Sequence, residues 1–86
     1  MINELEVGQL YEIFWTDAFL LTAWTSLEDA KKETCVCKTV GYFVGVTESG
    51  DLLLAATLGH DGELGAVQGR PAGMVKEIYK LQRENK

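Results

Sequence analysis

The sequence predicts a mainly β domain: five short strands wrapped into a small barrel, with one short helix between strands two and three. Three observations carry this. Residues 39–46 and 52–58 are apolar, the first of them rich in β-branched and aromatic side chains, and the polar loop Thr47-Glu48-Ser49-Gly50-Asp51 joins them. That is a hairpin signal. No long amphipathic helix precedes this hairpin. Gly41 and Gly45 interrupt the first of its strands, where a strand bending round a barrel corner needs small residues.

The first strand is expected at residues 8–15. Tyr11, Ile13 and Trp15 alternate on one face, and Leu10, Glu12 and Phe14 on the other. Thr16-Asp17 is a plausible turn. Residues 19–24 read as a second strand, although Leu20-Leu21-Thr22-Ala23 also suits a helix fragment. The short helix follows. Thr25 or Ser26 offers an N-cap oxygen, Glu28 and Asp29 complement the positive end of the helix dipole, and Lys31 and Lys32 fall at the negative end.

The third strand spans residues 34–46. Val36, Val40, Tyr42, Val44 and Val46 form its apolar face, which Leu52, Leu54, Ala56 and Leu58 continue on the fourth strand. Cys35, Cys37, Thr39, Gly41, Phe43 and Gly45 form the opposite face. Gly59-His60-Asp61-Gly62 is a turn, and residues 63–69 are strand-like. The end supports two readings. Met74, Val75, Ile78, Tyr79 and Gln82 fit a helical period, with Pro71 at its first position. A tight turn at 71–73 followed by a fifth strand over 74–81 fits as well and is preferred.

The 86 residues make one domain, 1–86, with frayed ends at 1–6 and 82–86. No apolar run approaches the roughly 20 residues that span a bilayer. The acidic start Met1-Ile2-Asn3-Glu4 lacks a signal-peptide pattern. A cytoplasmic protein with no membrane partner is therefore expected. The net charge of −5 disfavours nucleic acid, whose nonspecific binding depends on Lys and Arg displacing counterions.

The residues offer little chemistry. Asp17, Glu28, Asp29, Asp51, Asp61 and Glu63 fall in turns or at the helix start, where acids are solvated rather than tuned for catalysis. His60 with Asp61 is ordinary turn chemistry. No nucleophile elbow and no phosphate-binding glycine loop occurs. Cys35 and Cys37 lie two apart on a strand. Zinc needs four ligands, and the chain offers only His60 besides. Reduced thiols, no metal, no cofactor and no enzymatic activity are the expectation.

The aromatic set points elsewhere. Two Trp, three Tyr and three Phe exceed what a core this small needs. Trp and Tyr are favoured at interfaces. Trp15, Phe19 and Trp24 are the expected interface residues, with exposed strand edges as a second means of self-association. A protein partner or a second copy is the expected occupant. A small nucleotide-like ligand is the alternative, with Arg70 as phosphate partner above a cleft floored by Gly41, Gly45 and Trp15. A nucleic-acid-binding barrel is a further alternative.

Two resemblances extend this reading. The order of elements, and the segment from Gly65 to Ile78 with its Gly-rich strand, Pro71 turn and short apolar strand, resembles the closing part of SH3-like barrels. Trp15-Thr16-Asp17-Ala18, Trp24, Val40-Gly41-Tyr42, Leu54-Ala55 and Pro71-Ala72-Gly73-Met74-Val75 together resemble small uncharacterised bacteriophage and prophage proteins. The second resemblance implies an SH3-like fold and a phage setting in a host cytoplasm, and no reaction. The paired tryptophans of a proline-rich peptide groove are absent.

Overall fold

Alternating side chains and glycine-marked turns give this chain one antiparallel sheet. The structure is a computed structural model and describes residues 2–17, 23–32 and 34–83. Its strands are β1 (Leu10–Asp17), β2 (Cys35–Val46), β3 (Leu52–Leu58), β4 (Leu64–Arg70) and β5 (Val75–Lys80). Their order in the sheet is β4-β3-β2-β1-β5, with every neighbouring pair antiparallel. A 3-10 turn at Ile2–Glu4 precedes β1, and another at Ala72–Met74 carries the chain from β4 to β5.

The expected hairpin is the β2–β3 pair. Its loop closes through the Thr47 N–H donating to Asp51 O at 2.8 Å and the Gly50 N–H donating to Thr47 O at 2.9 Å. Gly50 supplies the left-handed φ of +89° that this turn requires. The expected helix is a single turn, α1 (Leu27–Ala30). Ser26 caps it by accepting from the Asp29 N–H at 3.1 Å.

Among the described residues, helix α1 lies between β1 and β2. Most of the expected strand at 19–24 lies outside the described residues, and Ala23 and Trp24 are not in a strand. The strand-like segment at 63–69 is a full member of the sheet as β4. The closing segment is a strand, one residue shorter at each end than expected.

The expected inner face of β2 is corrected. Up to Phe43, the residues turned toward the core are Cys35, Cys37, Thr39, Gly41 and Phe43, whereas Val36 and Val40 are 61% and 51% exposed. Both faces of β2 are apolar, so hydrophobicity alone does not choose between them. Size does. Tyr11 pairs with Gly41 and Trp15 with Cys37, which sets large side chains over small ones. A Cβ on Gly41 would stand 3.1 Å from the Leu54 Cβ. The register then slips between Phe43 and Gly45, where Gly45 takes φ +148°. One extra residue exchanges the two faces. Val46 consequently pairs with Leu52, on the core side.

A second slip, between Phe14 and Trp15, bends β1 against β5. The core of this curled sheet is Tyr11, Ile13, Phe43, Leu52 and Leu54, with Ile2, Leu5, Trp15, Val75 and Ile78 packed against it. Ala56 and Leu58, expected inside, are exposed because β3 runs beyond the part of the sheet that the core covers.

Candidate functional site

The alternation of β1 turns Trp15 toward the inner side of the sheet, where it is half-buried. Its indole Nε1–H donates to Thr39 Oγ1 on β2 at 2.9 Å, which fixes the ring. Arg70 ends β4, which two strands, β3 and β2, separate from β1 in the sheet order. Its guanidinium carbon nevertheless lies 4.2 Å from the Trp15 ring centroid. Arg70 Nη1 donates to Gly69 O at 2.8 Å and Nη2 donates to Gln68 Oε1. Its buried Nε has no hydrogen-bond acceptor among the described residues. A guanidinium stacked on an indole is stabilised by the ring's negative face instead.

Trp15, expected at an interface, and Arg70, expected as a phosphate partner, therefore meet. Trp24 does not join them: it is fully exposed, ahead of α1. Phe19 lies outside the described residues. Gly41 is packed under Leu54 and Ala55, so the space above that part of β2 is occupied by the chain's own side chains.

Cys35 and Cys37 are reduced and half-buried beside Trp15, with their sulfurs 3.9 Å apart. Burial pushes the Cys37 thiol above its ordinary range; the hydrogen bond and charge of Cys35 and the charge of Asp17 add to this, and Arg70 opposes it. A thiol held protonated is a poor nucleophile. Among the described residues, no three His, Cys, Asp or Glu gather as metal ligands do. Asp61 is spent on its turn, where its Oδ1 accepts from the Glu63 N–H at 3.1 Å.

The outer face of the sheet is different in kind. Strand pairing sets Lys38, Phe14 and Glu77 side by side in one row and Val40, Glu12 and Tyr79 in the next. Phe14 and Tyr79 meet edge to face with centroids 5.8 Å apart, and Lys38 Nζ stands 5.9 Å from the Phe14 centroid. Tyr79 donates to Glu77 Oε2 at 2.6 Å. That hydrogen bond and the Glu77 charge raise the phenol above its ordinary range, with smaller contributions from burial and Glu12. Val36, Val40 and Tyr79 remain open to solvent on this face.

The sequence reading missed this surface. Val36 and Val40 are expected on the apolar face that continues onto β3, and Phe14 and Tyr79 count only toward the aromatic surplus. The signal was present in β1, whose Leu10, Glu12 and Phe14 already made a second apolar face. An apolar groove of about 500 Å³ also opens at one end of the core, between Ile2, Leu5, Phe43, Val46, Gly50 and Ala72. Comparison with family models, with curated proteins and with solved structures gives no match to this chain.

Proposed function

We propose that this chain is a non-catalytic binding or assembly module with an SH3-like barrel fold, docking through the outer face of its sheet. The strand order, the 3-10 turn between β4 and β5, and the Trp15–Arg70 contact across the curl support the barrel. The observation that carries the function is the bare apolar surface around Phe14, Val36, Val40 and Tyr79. An unfilled face of aromatic and β-branched residues, set with a few charges, is what protein interfaces present. The resemblance to small phage and prophage proteins would make this a phage-encoded module working in a host cytoplasm. The small-ligand alternative has weaker support, because Arg70 is already committed to Trp15, Gly69 and Gln68.

An environment-sensitive apolar dye tests the reading in dilute solution. Wild-type protein should bind it, and the double substitution V36T/V40T should remove most of the binding while circular dichroism stays unchanged. Dye binding that persists in the folded double variant moves the docking surface elsewhere.

A further inference from the structure

A sheet face this apolar is normally covered, and among the described residues the core cluster covers only the other side. We infer that the outer face docks on a second copy of this chain, forming a two-fold dimer of facing sheets. This rests on the module reading above and names its partner.

Surface area argues for it. The chain exposes 6600 Å². A compact monomer of 9.5 kDa exposes about 5,000 Å². The excess, roughly 1,600 Å², is twice the ~800 Å² that each partner gives to a standard interface. The radius of gyration, 16.0 Å, likewise exceeds the ~12 Å of a compact chain this long. The bare outer face around Val36, Val40 and Tyr79 contributes to both quantities, as do Trp24 and Leu27 off the sheet.

Charge selects a copy of itself and the orientation. The chain carries −5 overall, so two copies repel unless they meet where charge nearly cancels. The outer face holds both signs. Lys38 and Glu77 flank Phe14 on opposite sides, from β2 and β5. A two-fold axis along β1 exchanges those sides. It sets Lys38 of one copy over Glu77 of the other and Phe14 over Phe14, with the sheets about 10 Å apart. The perpendicular in-plane axis sets Lys38 over Lys38. The axis along β1 has one cost, since it brings Glu12 toward its own counterpart.

Sedimentation equilibrium and light scattering on the full chain test this. Wild-type protein should form a dimer whose population rises with concentration. K38E should weaken it about tenfold, because both symmetry-related pairs turn repulsive, and V40K should abolish it. E12Q should tighten it. W24S, off the sheet, should leave it unchanged. Circular dichroism checks that each variant is folded; if V40K is not, K38E and E12Q still decide. A wild-type chain that stays monomeric at every concentration overturns the inference. So does a dimer indifferent to K38E and E12Q. A monomer that still binds the apolar dye through Val36 and Val40 removes the second copy but leaves the module reading standing.

Discussion

The guanidinium of Arg70 and the indole of Trp15 stack at 4.2 Å, although β3 and β2 lie between their strands in the sheet. A flat sheet keeps those strands about 14 Å apart at 4.8 Å per strand spacing. The contact therefore measures how far the sheet has curled. It spans one end of the curl, and Thr39 holds the ring that Arg70 rests on.

Replacing Arg70 by Met should release that end. The lost cation–π contact is worth about 1–2 kcal/mol at a half-buried site. For a domain of this size, each kcal/mol lowers the melting temperature by about 4–8 °C. Arg70→Lys should recover little, because an ammonium lacks the planar fork that stacks. Thermal melts of the three proteins give the comparison. A Lys variant as stable as wild type would show that charge alone is what matters there.

Gly41 tests the small inner face of β2. Its Cβ would meet the Leu54 Cβ at 3.1 Å and the Ala55 carbonyl oxygen at 3.3 Å, and a backbone oxygen in a ladder cannot move aside cheaply. Gly41→Ala should therefore destabilise by about 1–3 kcal/mol, in the range of overpacked cores. Urea unfolding should show a lower midpoint with an unchanged slope. An unchanged midpoint would mean that the sheet relaxes freely at this corner.

What the sequence made legible follows the range of each signal. The β2–β3 hairpin and the Ser26 cap depend on residues within five positions of one another, and both were readable. The inner face of β2 was not, because Val36 and Val40 look more core-like than Cys37 and Gly41. Only the neighbours Trp15, Tyr11 and Leu54 decide that small residues belong inside. The Trp15–Arg70 contact joins residues 55 positions apart through a curl set by two register slips, and no local pattern announces a slip.

Trp24 separates exposure from stability. Its ring is fully exposed and makes no contact with the core cluster. Trp24→Ser should leave the stability within about 0.5 kcal/mol of wild type, as surface changes away from packing do. Trp15→Ser, which loses both the Thr39 hydrogen bond and the Arg70 stack, should cost several times more. Denaturation of both variants ranks them, and equal losses would place Trp24 in a packed environment.

Alkali gives the last test. Tyr79 is raised above its ordinary 10.0 chiefly by its bond to Glu77, and Cys37 above its ordinary 9.0 chiefly by burial. In both cases the folded chain holds its proton to higher pH than the unfolded chain. Between the unfolded and folded values the native state binds more protons, so stability falls as pH rises. Below pH 9 that contribution is fully present. The loss begins near pH 9 through Cys37 and continues beyond pH 10 through Tyr79. Tyr79→Phe keeps the ring against Phe14 and removes the ionisable phenol, so its stability should decline less steeply above pH 10 than wild type. Cys37→Ser should flatten the earlier part of the curve. Parallel decline in wild type and Tyr79→Phe above pH 10 would mean that the phenol ionises as readily in the folded chain as in the unfolded one.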